Sequence, residues 1–539
     1  MIRMGIRLAL VLVVILAESA CGTQGGPSAA QPATPATPPT GQLQLSAQAS
    51  PNASSAGAAG VVVTASNFPA GSLEADYLTV WLAPTCGGAG ATTAVPTALV
   101  ANAGGDSYGV VFAVPQLLLT NTYYVTITGT TVQGVPFTSA NCSEVSVTGT
   151  LPTPVVNVTQ YGADPTGHSD DTSAITQAIA QAQANGGGTV YFPPGVYLVG
   201  GGLTTAGTSS LVIAGSTPIT LAGAGMLQST LVETDAAEDL LGLRVDGMVV
   251  EDLGFNTAEY GAGHCIGAIA NNVTLERVDL VDGSRTFSVY FAGPSGASAS
   301  NLIYNTGNQV LDSMITDSVN DDSLSFSYQQ NGTIRNITHT GSRLALFRDQ
   351  NVTVTDSQYT PGAQSPSVQN GFWITGPSSD ITIRNFVSSG QGGIIGASGS
   401  STINSSNITI IGEQLLNPGY TLYIGDANGV TLENSSLIGD GSGIGKLEFD
   451  PSFAVSNVVV NNVALQRVAF NLPPSASVAN VSFNNDLYQP YTPEGATFAT
   501  LNANGPVNFS VIGGEFCNVA GGFQSGPSTT YTSSVGACP

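Results

Sequence analysis

Charged residues are scarce in this chain. They make up 9% of its 539 residues, whereas an average soluble protein has about 25%. Among the 11 basic residues, Lys446 is the single lysine. This composition excludes a coiled coil, which needs abundant Glu and Lys beside its seam, and a helical bundle stabilised by surface ion pairs. Disorder is excluded as well, because a chain with 42% apolar residues can build a large core.

Small and β-prone residues take the place of the missing charges. The chain contains 66 glycines, which is well above the usual share of about 7%, and it is rich in Ser, Thr, Asn and Val. Residues of these types favour short strands joined by tight turns. The composition therefore predicts an all-β protein, and the length predicts several domains.

The few charges are strongly unbalanced. Asp and Glu number 35 against 11 basic residues, so the net charge is −24 and the isoelectric point is about 4.1. A surface of this charge repels nucleic acid and anionic membranes, so neither is expected as a partner. An anionic polysaccharide stays open as a partner, because a local cluster of basic residues could hold one.

The N-terminal segment has the pattern of an export signal. Arg3 and Arg7 precede an uncharged apolar run over 8–17, which is too short to span a bilayer and suits the core of a signal peptide. The small residues before Cys21 resemble a bacterial lipoprotein cleavage site. We therefore expect a signal peptide over 1–20 and a lipid anchor at Cys21 that holds the protein at the bacterial cell envelope, with ordinary secretion as the alternative.

Two regions follow the expected anchor. Residues 21–41 are rich in Pro, Thr and Ala and carry no charge, which predicts an extended linker. Residues 42–150 contain short alternating apolar runs, such as 61–64, 77–81 and 123–127, separated by Gly, Pro and Asn. This pattern predicts an immunoglobulin-like β-sandwich of about seven strands.

The remaining cysteines predict two disulfides in an exported protein. We pair Cys86 with Cys142 and Cys517 with Cys538, because the members of each pair lie within one predicted domain. Cys265 is left over and is expected to be a buried thiol. The sequence has no CxxC motif and no His/Cys cluster, so no zinc site is expected.

The region after residue 155 carries the most informative pattern. The string YGAD at 161–164 is followed by two aspartates at 170–171, by Ala and Ile at helical spacing, and by GGGTVYFPPG at 186–195. We expect Ser169 or Asp170 to cap a helix that Gly186 ends, with a strand after it.

This arrangement resembles the N-terminal signature of the pectate lyase superfamily, which includes polygalacturonases, rhamnogalacturonases and epimerases. The resemblance implies a right-handed parallel β-helix over 155–515, whose N-terminal end is covered by the helix. Residues 516–539 then form a C-terminal tail closed by the second disulfide.

A repeat supports the same fold independently. Similar strand beginnings recur, and the string TIRN occurs at 333–336 and again at 382–385. Most successive repeats are 20–29 residues apart, which is the length of one coil of three short strands. One interval of 59 residues predicts two coils plus an inserted loop near 293–300. Many repeats follow an Asn or Asp that we expect to stack from coil to coil, namely Asn272, Asn331, Asn351, Asp380, Asn407, Asn457 and Asn480.

Candidate functional residues recur at the same one-coil spacing. Each of them precedes a short apolar strand, and they are His264, Arg285, Asp321, Asp322, Arg343, the Gly371-Phe372-Trp373 string and Gln391. His264 and Arg285 are 21 residues apart, and so are Asp322 and Arg343, which predicts that the two members of each pair stack on adjacent coils. The line as a whole predicts a solvent-facing cleft.

Two kinds of chemistry are compatible with this line. The string 320–324, which contains Asp321 and Asp322, resembles the double-aspartate segment of polygalacturonase-type glycosidases. This resemblance implies hydrolysis, in which one carboxylic acid protonates the glycosidic oxygen while other carboxylates activate water. Asp317 is a third candidate for that chemistry, which requires no cofactor.

The rival chemistry is β-elimination on a uronate. A base removes the proton beside the sugar carboxyl group and a cation neutralises that carboxylate. Arg343, Arg285, His264 or His339 could contribute the cation or the base, and a lyase could hold Ca²⁺ on Asp317, Asp321 and Asp322.

Substrate binding is expected from Arg285, Gln391 and aromatic residues of the same region. Trp373, Tyr420 and Tyr423 are candidate platforms for stacking sugars. The sequence therefore predicts an exported enzyme that cleaves a pectin-like or other uronic-acid polysaccharide, with hydrolysis slightly ahead of elimination. The third hypothesis is a surface adhesin or glycan-binding protein without catalytic activity. The sequence does not indicate an oligomeric state.

Overall fold

In this computed structural model a large part of the chain beyond residue 42 is described. The described residues are 43–55, 60–68, 73, 75–87, 92–94, 96–101, 107–115, 121–131, 135–148, 152, 154–200, 209–234, 239–257, 264–282, 287–317, 322–362, 370–396, 405–417, 420–439, 446–449, 453–466, 469–471, 478–489, 507–517, 529–531 and 534–536. Within them, no helix has both the length and the apolar character needed to cross a bilayer. The expected signal peptide, Cys21 and the linker lie outside the described residues.

The first part of the described chain is built from ten strands that surround their own apolar core. Their order along the sheet is β5-β4-β8-β10-β2-β3-β7-β6, with β1 on β3 and β9 on β8. The core contains Val63, Val80, Phe112, Val125 and Ile127. The strands are β1 Gln44–Leu45, β2 Gln48–Ser55, β3 Val61–Ser66, β4 Leu78–Ala83, β5 Thr92–Ala94, β6 Pro96–Ala101, β7 Ser107–Phe112, β8 Asn121–Thr130, β9 Pro136–Thr138 and β10 Ser143–Thr148.

Two expectations can be compared with this region. The disulfide between Cys86 and Cys142 is confirmed. The strand count is higher than the seven expected, because β1, β5 and β9 are additional two- or three-residue strands at the periphery. The immunoglobulin-like topology stays a prediction.

The expected helix follows the first strand of the second part. Helix α1, Thr172–Ala184, buries Ala174, Ile175, Ala178, Ile179 and Ala182 against the end of the β-helix. Its N-cap residue is Asp171, which makes no side-chain cap bond. Asp170 supplies that bond, because its Oδ1 accepts from the Thr172 amide at 2.9 Å.

The alternative cap, Ser169, is wrong, since its hydroxyl donates to Asp164. Asp171 instead joins two segments of the cap by accepting from the amides of Asp164 and Leu198. Beyond the helix, Gly186 has a left-handed φ of 85° and the strand over Thr189–Phe192 begins three residues later.

The second part is a parallel β-helix, as predicted. Its coils form two parallel sheets. The larger has 28 strands and covers two sides of the β-helix, and we call it the long sheet. The smaller has 11 strands and covers the third side, and we call it the face sheet. The long sheet contains β11 Val155–Asn157, β12 Thr166–Asp170, β13 Thr189–Phe192, β14 Gly195–Val199, β16 Thr220–Gly223, β17 Ser229–Glu233, β19 Val249–Asn256, β21 Thr274–Asp282, β24 Gln309–Leu311, β25 Met314–Asp317, β28 Thr333–Arg335, β29 Thr338–Gly341, β31 Thr353–Thr355, β32 Gln358–Pro361, β34 Ser379–Arg384, β35 Val387–Ser388, β37 Ser405–Ile411, β38 Gln414–Asn417, β40 Ala427–Glu433, β41 Ser436–Gly439, β43 Val455–Asn461, β44 Ala464–Gln466, β46 Val478–Asn484, β47 Leu487–Gln489, β48 Val507–Ile512, β49 Glu515–Cys517, β50 Thr529–Tyr531 and β51 Ser534–Gly536.

The face sheet contributes one strand to each coil. Its strands are β15 Leu211–Ile213, β18 Asp239–Leu243, β20 His264–Ala268, β22 Val289–Phe291, β26 Asp322–Ser327, β30 Arg343–Phe347, β33 Asn370–Thr375, β36 Gln391–Ile395, β39 Tyr420–Ile424, β42 Lys446–Phe449 and β45 Ala469–Asn471. A separate pair is formed by β23 Asn305–Thr306 and β27 Gln329–Gln330.

The sequence repeat corresponds to the coils. Thr333 pairs in register with Thr353, Thr353 with Thr382, and Thr382 with Thr409, so each repeat is one turn of the β-helix. The interval of 59 residues contains the additional strand β24. Thr274 pairs with Gln309, and the inserted segment between β22 and β23 includes the bridge of Ser298 with Asn301.

The stacked Asn and Asp residues are confirmed as structural. All seven expected residues have a φ between 52° and 58°, the left-handed region that Asn tolerates better than most residues. Their side chains bond from coil to coil. Asn480 Nδ2 donates to Asn457 Oδ1 at 2.9 Å, and Asn508 Nδ2 donates to Asn480 Oδ1 at 2.9 Å.

The parallel pairing continues past the expected end at residue 515. Strand β49 pairs with β51, and β48 pairs with β50, so the predicted separate tail over 516–539 is wrong for its described strands. Their alternating residues, such as Phe516 and Val535, are in register. Cys517 lies in β49 and Cys538 lies outside the described residues, so the second disulfide stays a prediction.

The Asn ladder yields a stability prediction. Asn480→Ala removes two ladder bonds, each contributing about 1 kcal/mol, and places a Cβ-bearing residue without a polar side chain in a left-handed conformation at a cost of about 1–2 kcal/mol. Asn480→Gly removes the same bonds without the backbone cost. Urea unfolding should show Asn480→Ala as the less stable variant, and equal stability of the two would contradict the role of the left-handed backbone.

Candidate functional site

The first residues of the face-sheet strands form one line along the β-helix. Register pairs Asp239 with His264, Asp322 with Arg343, Asn370 with Gln391, and Tyr420 with Lys446. We call these eight residues the start line. The structure thus places His264, Asp322, Arg343 and Gln391 along one side of the molecule. Arg285 and Asp321 lie outside the described residues.

A second line of side chains points outward from the middle of the same strands. Register links Tyr290, Ser325, Ala345, Trp373, Ile394 and Tyr423 from coil to coil. Neighbours of these residues in each strand, such as Leu344 and Leu346, belong to the core. Since successive side chains of a strand alternate between faces, Trp373 and Tyr423 lie on the outer face with the start line.

The clearest chemical arrangement on this face is centred on His264. Its Nδ1 forms a short hydrogen bond with Oδ1 of the buried Asp239. Asp239 Oδ2 accepts from the Ser209 hydroxyl at 2.8 Å and from Arg244 Nη2 at 3.3 Å. A carboxylate on Nδ1 fixes the imidazole so that its other nitrogen, Nε2, can accept a proton.

A glycine and several polar contacts keep the Asp239 carboxylate in place. A Cβ on Gly267 would lie 2.6 Å from Asp239 Oδ2, so only glycine leaves room for it. Burial would raise the pKa of Asp239, but the hydrogen bond and charge of His264, assisted by Ser209 and Arg244, hold this pKa below its ordinary value. Asp239 is therefore a carboxylate at neutral pH, as an orienting group requires.

Aromatic rings surround the histidine. The His264 ring stacks on Phe287 with a centroid distance of 5.6 Å and an interplanar angle of 5°, and it lies 5.3 Å from the Tyr290 ring. Asp239, Arg244, His264 and Tyr290 line one pocket. Within the described part of the chain, Nε2 of His264 has no hydrogen-bond partner, and the side chain is 15% exposed. The pocket thus combines an oriented base, a cation and a phenol.

Asp322 and Arg343 form the second ionic group of the face. Arg343 Nε donates to Asp322 Oδ1 at 2.6 Å, and the Arg343 guanidinium lies 4.0 Å from the centre of the Trp373 ring. The Arg343 side chain is 11% exposed. Trp373 therefore has one face in contact with a protein cation, which limits stacking of a sugar to the rest of its surface.

Asp317 and His339 lie away from the start line. Asp317 ends β25 in the long sheet, where its carboxylate accepts from the Ser342 amide at 2.9 Å and the Ser288 hydroxyl at 3.3 Å. His339 is buried among core residues, with Nδ1 3.1 Å from the Ser323 hydroxyl. The proposal of His339 as a cation for the substrate is therefore wrong, because a buried imidazole is held neutral.

The remaining predicted residues have simpler outcomes. Cys265 is a buried thiol outside any disulfide among the described residues, as expected. The side chains of Gln391 and Tyr420 are not among the side chains that the structure describes. Among the described side chains, no three of the types His, Cys, Asp and Glu gather as a metal site. Ca²⁺ binding stays a prediction, since Asp321 is not described.

Sequence reasoning missed several members of the His264 pocket, namely Asp239, Arg244, Phe287 and Tyr290. Asp239 carried the available signal, because it precedes the apolar strand Leu240-Leu241 and lies 25 residues before His264, one coil earlier. Arg244 and the two aromatic residues carried no comparable signal, since their contacts depend on the folded face.

Comparison with known proteins supports the domain class. Residues 155–394 match the family described as Rhamnogalacturonase A/epimerase, pectate lyase-like. The resemblance to the pectate lyase superfamily is therefore confirmed for this region, which contains both ionic groups of the face.

Individual relatives match over shorter segments. Alginate lyase 7 of Azotobacter vinelandii is 32% identical over 152 residues, which are 24% of this chain and 17% of that protein. Mannuronan C5-epimerase AlgE6 of the same organism is 36% identical over 149 residues, covering 26% of this chain and 15% of that protein. The chain thus spans less than a fifth of the length of either relative.

Among solved structures, the A-module of Azotobacter vinelandii mannuronan C-5 epimerase AlgE6 matches with a TM-score of 0.42 and 21% identity, over 71% of this chain and 99% of that one. The family 28 exopolygalacturonase of Yersinia enterocolitica matches with a TM-score of 0.31 and 12% identity, over 92% of this chain and 99% of that one.

The buried His339 yields a pH prediction. Burial lowers the pKa of this imidazole to about 4, whereas in the unfolded chain it is about 6.5. The unfolded state therefore binds the proton first as pH falls. The stability that neutral His339 contributes is complete above pH about 6.5 and is lost, by about 3 kcal/mol, as pH falls to about 4.

His339→Asn should consequently be more costly at pH 7.5 than at pH 4, as measured by urea unfolding at both values. His168→Asn, at an exposed histidine of the cap, is the matched control. A cost of His339→Asn that is the same at both pH values would contradict a buried, neutral imidazole.

Proposed function

We propose that the β-helix acts on a uronic-acid polysaccharide by removing the proton next to the sugar carboxyl group. The observation that carries this proposal is the pairing of His264 Nδ1 with the buried Asp239 carboxylate, which leaves Nε2 as the proton acceptor in the pocket. Oriented imidazole bases of this kind typically accelerate proton transfer by 10²–10⁴-fold.

The reaction can be written with all atoms balanced. His264 Nε2 takes the proton from C5 of a uronate, and the electron pair forms a C4–C5 double bond while the C4–O bond breaks. The leaving oxygen takes a proton from the Tyr290 hydroxyl; Tyr290 then recovers a proton from solvent, and His264 releases its proton to solvent. Arg244, whose side chain is 31% exposed, lies in the same pocket and stabilises the charge on the substrate carboxylate.

The relatives support this class of reaction. One is named an alginate lyase and several are named mannuronan C5-epimerases. Elimination and C5 epimerisation start with the same loss of a proton, and they differ in whether the sugar is then cleaved or receives a proton on its other face. We propose elimination as the outcome here, because Tyr290 lies beside the base and can protonate the leaving oxygen.

Hydrolysis by the aspartates, which the sequence slightly favoured, has less support from the described contacts. Asp322 uses one oxygen to bind Arg343, and Asp317 uses both oxygens to bind Ser342 and Ser288. These carboxylates are engaged by protein groups, whereas the His264 pocket presents an unoccupied acceptor. Hydrolysis remains the alternative that the product analysis tests.

Export and a lipid anchor belong to the same proposal. The Arg3–Arg7 charges, the short apolar run and Cys21 are the supporting features, and an enzyme that degrades large polymers meets them outside the cell. Mass spectrometry of the mature N-terminus tests this directly. A lipid-modified Cys21 supports the anchor, and an unmodified N-terminus at another residue contradicts it.

The catalytic prediction concerns the products made from a panel of polymannuronate, polyguluronate, polygalacturonate and a neutral β-glucan. The wild-type protein should form unsaturated, ultraviolet-absorbing ends on at least one uronate polymer and none on the glucan. His264→Gln and Asp239→Asn should each lower kcat by at least 100-fold, because the base is removed or loses its orientation. His168→Gln, at the exposed histidine of the cap, is the matched control.

The products separate the alternatives. New reducing ends without unsaturation, lost in Asp322→Asn and retained in His264→Gln, would establish hydrolysis and contradict the proposal. Incorporation of solvent deuterium at C5 without chain cleavage would support the base at His264 and contradict elimination. Binding of a polymer without any turnover would favour a glycan-binding protein.

A further inference from the structure

Basic residues lie on both sheets of the β-helix. The described part of the chain contains seven, of which Arg244, Arg343, Arg348 and Lys446 lie in or next to strands of the face sheet, and Arg277, Arg335 and Arg384 lie in the long sheet. In a chain of net charge −24, the side that carries His264 thus includes three arginines with described side chains, Arg244, Arg343 and Arg348. These arginines are the groups of this face that can attract an anionic polymer.

Arg348 differs from the other arginines of the face. Arg244 is paired with Asp239, and Arg343 with Asp322. Arg348 has no carboxylate partner among the described residues, although the chain has three acids for each base. A half-buried cation without a counter-charge is costly, so its retention on this face calls for an explanation.

The surrounding residues hold the Arg348 side chain in one position. Its Nη1 donates to the Tyr328 hydroxyl at 2.8 Å, and its guanidinium lies 4.0 Å from the centre of the Phe347 ring. On the next coil, a Cβ at Gly376 would lie 2.5 Å from Arg348 Cγ. The glycine thus leaves the space that the arginine stem occupies.

The backbone at this point is also unusual. Tyr328 and Arg348 have φ values of 56° and 59°, and bulky residues rarely adopt this left-handed conformation. The two residues lie one coil apart, directly after β26 and β30, at a turn where the next two coils have glycine with a positive φ, Gly376 and Gly396. Arginine and tyrosine in such positions give up local stability, as residues of binding sites often do.

We propose that Arg348 binds a carboxylate of the substrate at a subsite at least three sugar units from the uronate at His264. This inference rests on the proposed function, because it assigns the substrate as a linear polyanion that lies along the face sheet. Strand β30 is three strands from β20 along the face sheet. With parallel strands about 4.8 Å apart, β20 and β30 are about 14 Å apart along the axis. His264 begins its strand and Arg348 follows the end of its own, so a substrate that contacts both crosses the face obliquely.

The chemistry of arginine suits this role. A guanidinium offers paired N–H donors that match the two oxygens of a carboxylate, and stacking on Phe347 directs it before the substrate arrives. The subsite gives binding energy to long anionic chains, and gives none to neutral chains or to oligomers too short to reach it. Arg348 is thus a determinant of substrate charge and length, and it takes no part in proton transfer.

The test measures equilibrium binding in the inactive His264→Gln background, so that oligomers stay intact. Fluorescently labelled trimers and octamers of mannuronate and galacturonate are compared with neutral β-glucan octamers, in low and high salt. Arg348→Gln should raise the Kd of a uronate octamer by about tenfold, leave the Kd of the trimer within twofold, and weaken the salt dependence. Arg348→Lys keeps the charge and loses the paired donors, so its octamer Kd should lie between those of the Arg348 protein and Arg348→Gln.

Arg384→Gln is the matched control, because Arg384 is exposed and lies in the long sheet; it should leave both Kd values unchanged. Thermal unfolding of each variant identifies general damage to the fold. An unchanged octamer Kd in Arg348→Gln, or an equal loss for trimer and octamer, would overturn the subsite.

The outcomes also separate the subsite from the catalytic proposal. Arg348-dependent binding of octamers by a protein that turns over no uronate polymer would support the subsite and refute the catalytic role of His264. Turnover that depends on His264, together with octamer binding that does not depend on Arg348, would support the catalytic proposal and overturn the subsite. Absence of binding to uronate oligomers of either length would overturn the subsite.

Discussion

Parallel hydrogen bonding between successive coils is the constraint on which this structure depends. Each coil is held in register with the next, as in the series Thr333, Thr353 and Thr382, so a residue lies about 4.8 Å from its counterpart one coil later. Residues 20–30 positions apart in the chain thereby become neighbours. The Asn ladder at the turns serves the same register, because each amide bonds the equivalent residue of the adjacent coil.

The same stacking explains why ionisable groups occur in pairs on the face sheet. A carboxylate at the start of a strand is covered by the coils on either side, and a covered charge needs a partner. The next coil provides one, as His264 does for Asp239 and Arg343 does for Asp322. Pairing also orients the partner, as Asp239 orients the imidazole of His264. Arg348 departs from this rule, and its side chain is instead held by rings and a phenol.

Much of the fold could be predicted because its causes are local and periodic. The capping helix follows from Ala and Ile at helical spacing, and the coils follow from a repeated strand pattern with Asn or Asp before it. The line through His264, Asp322, Arg343 and Gln391 was predictable for the same reason, since spacing of one coil implies stacking. His339 was misassigned because a histidine in a strand faces either the core or the solvent, and its own neighbours do not decide which. The cap residue and the continuation of the β-helix past 515 were also misjudged, because single turns and short strands carry weak signals.

Composition and periodicity by themselves determined that this chain is all-β and wound into coils, because strand propensity, turn residues and repeat length are properties of short segments. They also identified four of the residues that begin face-sheet strands, namely His264, Asp322, Arg343 and Gln391. Tertiary structure alone decided which side chains those residues contact. The contact of Asp239 with His264, the aromatic rings around that histidine and the space that Gly376 leaves for Arg348 all join different coils. Such contacts depend on side-chain directions and distances across the stack, which no single segment of the chain specifies.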